Sequence, residues 1–120
     1  MDGYILIIDN RKIFRSAIKN ILINKGYKTI GIGNGKTAID RIRQNDIEMV
    51  ILKHDLPGWS SLKTLRKIKA EFPDLIVVCI ADGLDEETSQ KYNNNGIEYI
   101  VSKRLVFGET EKFIKKLPLE

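Results

Sequence analysis

The stretch Val50 to Gly58, VILKHDLPG, sets three consecutive ionisable side chains directly after an apolar run. Lys53, His54 and Asp55 bring an ammonium, an imidazole and a carboxylate to one place. Such groups can form ion pairs, move protons or accept a phosphoryl group, and the surrounding spacing decides among them. His54 is the only histidine and lacks Cys, His or carboxylate partners at metal-ligand spacing, so it reads as a loop residue rather than a metal ligand or pH switch. GIGNGKT, from Gly31 to Thr37, invites a nucleotide reading, but a phosphate loop places Ile30, not Gly31, at the first glycine position. That stretch reads better as a loop in which Asn34 and Gly35 are turn residues opening a helix. Cys79, inside LIVVCIA, reads as an inert core thiol.

The elements that position these groups alternate regularly. Tyr4 to Ile8 is a short continuous apolar run stopped by Asp9-Asn10, as expected for a strand buried on both faces. From Lys12 to Asn24, Ile13, Phe14, Ala17, Ile18, Ile21 and Leu22 recur at helical spacing, and Gly26 closes that helix. Then come a strand around Lys28 to Ile32, a helix from about Gly35 to Gln44 and a strand from Glu48 to Leu52. Ser60 or Ser61 can cap a helix carrying Leu62, Leu65, Ile68 and Phe72, which Pro73 ends. Leu75 to Ile80 is the most hydrophobic strand, followed by a weak helix from Asp85 to Asn94. Ile97 to Val101 makes a fifth strand and Glu109 to Leu117 a last helix. Five strand–helix repeats predict a doubly wound α/β fold, one open parallel sheet with helices on both faces. Sites in such sheets lie beyond the carboxyl ends of the strands, here Asp9-Asn10, Lys53-His54-Asp55, Ala81-Asp82 and Ser102-Lys103-Arg104.

Composition bounds the function. Residues 1–120 read as one domain, free-standing or part of a longer signalling protein, with 42% hydrophobic and 30% charged residues. No apolar run is long enough to span a bilayer, and Asp2 leads straight into YILIID without a basic segment or cleavage site. A cytoplasmic protein without membrane insertion is expected. The net charge of +4 is spread along the chain without an arginine-rich arm, so direct nucleic-acid binding is not expected.

ILIIDN, the helix end NKGYKT, VILKHDLPG, VVCIAD and NNGIEYIVSK together resemble the receiver domain of two-component response regulators, in order and spacing over nearly the whole chain. The resemblance implies the flavodoxin-like strand order 2-1-3-4-5 with five helices. It also implies a phosphoryl-accepting aspartate after the third strand, two acidic residues after the first that help hold Mg²⁺, a hydroxyl after the fourth, and a lysine and a switch aromatic in or after the fifth.

Matched to those places, the acceptor position is Lys53, the acidic pair is Asp9 and Asn10, the hydroxyl position is Ile80, the lysine is Lys103 and the aromatic position is Ile100. Tyr99 falls one residue early and should face the other way, and Arg104 stands where a proline usually follows. Asp9, Asn10, Lys53 and Lys103 carry a formal +1 between them, against −2 for the family pattern, so Mg²⁺ binding should be lost and no cofactor is expected.

The chain therefore reads as a degenerate, pseudo-receiver module that is not an enzyme and acts by protein–protein contact without aspartyl phosphorylation. The alternative is a working phosphorelay receiver with its acceptor shifted to Asp55. Lys53 is expected to pair with Asp9, and Lys103 to bond to carbonyls or to Asp55. Expected partners are a sensor kinase, an output domain or another signalling protein, with a homodimer through the fourth helix, fifth strand and fifth helix also open. Trp59, Tyr92, Tyr99, Arg104 and Phe107 are the candidate interface residues.

Overall fold

The apolar runs become strands because each is short, rich in Ile, Val and Leu, and apolar on both of its faces. The computed structural model describes residues 2–118, so Met1, Leu119 and Glu120 lie outside it. β1 spans Tyr4–Ile8, α1 Lys12–Asn24, β2 Lys28–Ile32, α2 Ala38–Gln44 and β3 Ile47–Lys53. α3 spans Ser61–Glu71, β4 Ile76–Ile80, α4 Glu86–Asn94, β5 Tyr99–Val101 and α5 Thr110–Lys116. One element was not foreseen, a π-helical segment over Arg104–Gly108 between β5 and α5.

All strand pairings are parallel and the sheet order is β2-β1-β3-β4-β5, as expected. Successive strand residues point to opposite faces, and two separate cores result. Leu6, Ile8, Val50, Leu52, Val77 and Cys79 meet α2, α3 and α4 through Ala38, Ile42, Leu65, Ile68 and Tyr92. Ile5, Ile7, Met49, Ile51, Val78 and Val101 meet α1 and α5 through Ile18, Leu22, Phe113 and Leu117. The buried Ile5–Ile8 run of the inner strand β1 feeds both cores, and each such side chain contributes about 1.5–3 kcal/mol. Burial also pushes the Cys79 thiol up to about 12, in keeping with an inert core residue.

Two helices, α2 and α5, start later than the sequence reading placed them, and the choice between Ser60 and Ser61 as the α3 cap is decided, each for a local reason. α2 starts at Ala38 rather than near Gly35, because the Asn34 side chain accepts from the Thr37 N–H and makes a turn first. α3 is capped by Ser60, whose hydroxyl oxygen accepts from the Lys63 N–H. Ser61 is left for another task, since it is buried and its Oγ donates to the Lys53 carbonyl at 2.5 Å. α5 starts at Thr110 because the Glu109 N–H reaches back to the carbonyls of Arg104 and Leu105, widening the preceding turn.

The parallel pairing sets β3, β4 and β5 level at their carboxyl ends. Lys53 lies beside Ile80, and Ile80 beside Val101. The loop after β2 is pressed against α3, where Gly35 backs onto Thr64 so closely that an added Cβ would sit 1.9 Å from Oγ1. Gly35→Ala should therefore cost about 1–3 kcal/mol in chemical denaturation. The double variant Gly35→Ala/Thr64→Ala should lose about 1 kcal/mol less than the two single losses added together, and simple additivity would contradict this packing.

Candidate functional site

The carboxyl ends of β1, β3, β4 and β5 bring the foreseen polar clusters together around one pocket of about 230 Å³. Arg11, Lys53, His54, Asp55, Ile80, Asp82 and Lys103 line it. Asp9 lies beneath the rim, only 1% exposed. An unpaired carboxylate at that depth would be costly, so its partner organises the site. That partner is Arg11. Its Nε and NH2 donate to the two Asp9 oxygens at 3.2 Å each, and its backbone N–H donates to Oδ1 at 2.9 Å. Arg15 adds a 2.7 Å bond to the Asp9 carbonyl. Asp9 thus holds the start of α1, whose first residues have no side-chain cap.

The expected Asp9–Lys53 pair does not form. Lys53 Nζ instead donates to Asn10 Oδ1 at 2.9 Å and to the Asp55 carbonyl at 3.3 Å. Arg11 wins because it lies just past the turn after Asp9 and can supply a planar fork, whereas Lys53 brings a single ammonium from the neighbouring strand. Lys103 also departs from expectation. Its backbone N–H donates to Asp82 Oδ1 at 3.2 Å, and its ammonium lies 5.9 Å from the centre of the Phe14 ring. Among the described residues it has no bond to a carbonyl or to Asp55. Phe14, read from the sequence only as part of the apolar stripe of the first helix, is 37% exposed and has the Arg11 guanidinium 4.0 Å over its face and Phe107 edge-on at 5.8 Å.

Asp55 is exposed and has a φ of 64°, a left-handed conformation that Asp tolerates better than most residues. Its backbone has left the strand, so its side chain does not continue the Lys53 face. His54, on the pocket wall, reaches across to α4, where Nδ1 is 2.6 Å from the Tyr92 hydroxyl. Tyr92 was expected on a partner surface, but it is 1% exposed and anchors α4 in the core. A lone aromatic on a polar helix is the residue that must hold the helix down. Burial pushes its phenol up, so the hydroxyl keeps its proton.

The remaining positions are spread more widely. Ile80 is 4% exposed at the pocket floor, and Ile100 packs beneath the face covered by α2, α3 and α4. Tyr99 faces the other side, 38% exposed with Lys116 Nζ 5.7 Å from its ring centre. Arg104 is exposed in the π-helical segment, and Phe107 next to it is 36% exposed. Trp59 is half-buried between α2 and α3, away from the pocket. Arg11 and Tyr92 are the site-forming residues that the sequence did not point to in those roles. Only the position of Arg11, two residues past a buried-type aspartate, could have marked it.

The family model for the response regulator receiver domain matches residues 5–115. The chain belongs to the receiver family. This receiver is 34% identical, over 82 residues and 67% of its length, to an autoinducer 2 sensor kinase/phosphatase of Vibrio cholerae, covering 10% of that protein. It is 24% identical over its whole length to sporulation initiation phosphotransferase F of Bacillus subtilis and covers 98% of it. The receiver spans between 10% and 46% of the first curated relatives it matches. A receiver protein from Pseudomonas putida superposes with a TM-score of 0.85 over 98% of both chains, at 20% identity, a likeness of fold alone.

The two pairings in this pocket should separate in stability. Asp9→Ala strands the Arg11 fork and the α1 N-terminus, and should cost about 1–3 kcal/mol. Lys53→Met loses only surface bonds and should cost less than about 1 kcal/mol. Urea denaturation of both variants checks the order, and the reverse order would show that Lys53 holds the pocket.

Proposed function

We propose that this receiver transmits a two-component signal by protein–protein contact, without phosphorylation of an aspartate and without Mg²⁺. The observation that carries the reading is the use, inside the protein, of the oxygen ligands that follow β1. Both Asp9 oxygens are bonded to Arg11, and the Asn10 oxygen is bonded to Lys53. A divalent cation would have to displace a guanidinium and an ammonium, and would then face two like charges. The residues present do not fit the ion. Among the described residues, no three His, Cys, Asp or Glu side chains gather closely enough to hold a metal.

The acceptor chemistry points the same way. A mixed anhydride forms when a carboxylate oxygen attacks phosphorus, and Lys53 offers nitrogen committed as a hydrogen-bond donor. Ile80 has no hydroxyl for a phosphoryl oxygen. A pocket closed by internal cations holds one arrangement where a phosphorylated receiver alternates between two. In this reading the domain has no catalytic step of its own. It works in the cytoplasm, alone or as one domain of a longer chain, and meets a sensor kinase, an output domain or another signalling protein. Tyr99, Arg104 and Phe107, exposed on β5 and the π-helical segment, are suited to such contacts, including a dimer through the α4–β5–α5 face.

The competing acceptor is Asp55, exposed on the pocket wall. Intact-protein mass spectrometry after incubation with acetyl phosphate and Mg²⁺ tests the two. No phosphoryl adduct is expected. An adduct that disappears in Asp55→Ala would establish a working acceptor two residues past Lys53 and overturn the proposal.

A further inference from the structure

A second concavity on the molecule is larger than the pocket at the strand ends. It is a groove of about 580 Å³ between α2 and α3, whose lining includes Lys36, Ile39, Arg43, Trp59, Lys67 and Ala70. We infer that this groove is a docking site for an acidic peptide segment of a partner protein, with carboxylates meeting the lysines and an aliphatic side chain seated on Trp59 and Ile39. The inference rests on the contact-only reading and names a surface and a partner chemistry for it.

Charge within the groove is divided unevenly. Its two carboxylates, Asp40 and Glu71, are both committed to Arg43. Arg43 Nε and NH2 grip Glu71 at 2.6 and 2.5 Å, and NH1 reaches Asp40 at 3.4 Å. The bonded Arg43 guanidinium holds the Glu71 carboxyl below the usual carboxylate range, so it stays ionised and paired. The groove's lysines, Lys36 and Lys67, and Lys63 beside Trp59 have no such partner. Among the described residues, Lys36, Lys63 and Lys67 form no ion pair. Lys63 and Lys67 lie one turn apart on α3, with their ammonium groups 4.8 and 6.0 Å from the centre of the Trp59 ring. Unspent positive charge is thus gathered around a half-buried aromatic.

The groove is also preformed. The Arg43–Glu71 fork ties α2 to α3. Gly35 against Thr64 fixes the loop that delivers Lys36. The Ser60 cap fixes the turn that carries Trp59. A ligand that meets a rigid groove loses less of its binding energy to ordering the protein. The floor is apolar at Ile39 and Ala70, which suits a side chain better than a sugar–phosphate backbone. Asp40 and Glu71 would oppose evenly spaced phosphates, whereas a peptide can leave a neutral residue beside them.

The test is fluorescence anisotropy of a labelled peptide of alternating glutamate and leucine, titrated with the receiver at low salt. Saturable binding is expected, weakened about tenfold or more by Lys67→Glu and by Trp59→Ala, and unchanged by the charge-matched Lys12→Glu on α1. Circular dichroism melts of each variant separate lost binding from lost folding. Absence of saturable binding, or equal loss in Lys12→Glu, overturns the groove. Equally tight binding of a lysine–leucine peptide overturns it too, and tighter binding of oligothymidylate replaces the peptide with a nucleic acid. The assay contains neither Mg²⁺ nor a phosphoryl donor. Its failure removes the groove and leaves phosphorylation-independent signalling standing, while an acetyl phosphate adduct would do the reverse.

Discussion

A carboxylate at the end of an inner strand cannot be left both buried and alone, and Asp9, just after β1, is 1% exposed. Arg11 answers that constraint from two residues away, and its answer spreads. With the fork on Asp9, the first turn of α1 is held by an aspartate outside the helix rather than by a capping side chain. Arg11 is also drawn over Phe14, which gives Phe107 and the π-helical segment a surface to rest on. Lys53, excluded from Asp9, settles on Asn10. Each step uses up a group that could otherwise have met a ligand at the strand ends.

The opposite face of the same loop is tied down as firmly. Ser61 donates to the Lys53 carbonyl and accepts from the Leu56 N–H, so the start of α3 is fastened to the end of β3. His54 and the Tyr92 hydroxyl bind that loop to α4. α4 is otherwise polar, with Asp85 capping it and Tyr92 as its only buried residue. A helix with one anchor depends on that anchor's contacts. Here the contact is a residue of the pocket loop, so α4 is joined to the strand ends through His54. Such a link suits a domain that presents a fixed surface.

The strands, the alternation and the two-faced core were legible because short runs of Ile, Val and Leu have few other places to go. The strand order came through the resemblance to receivers, since parallel crossovers alone allow several orders. The π-helical segment was not legible. RLVFG differs little from an ordinary helical turn, and its wider bonding follows from Val106 entering the core while Phe107 meets Phe14. The site positions were legible as positions, because the ends of parallel strands lie level. Their pairings were not. Whether Asp9 would take Lys53 or Arg11 depends on how the chain turns after β1, and which group meets the hydroxyl of the buried Tyr92 depends on how close α4 lies to His54. Both are distances in space that spacing along the chain does not encode.

The central claim is that internal cations hold the ligands a metal would need. It is tested most directly by following the backbone amide resonances of Asp9, Asn10 and Lys53 while Mg²⁺ is added at constant ionic strength. Stationary resonances at these residues are the predicted result. Saturable shifts centred on them would mean that Arg11 and Lys53 give way to the ion, and would contradict the claim.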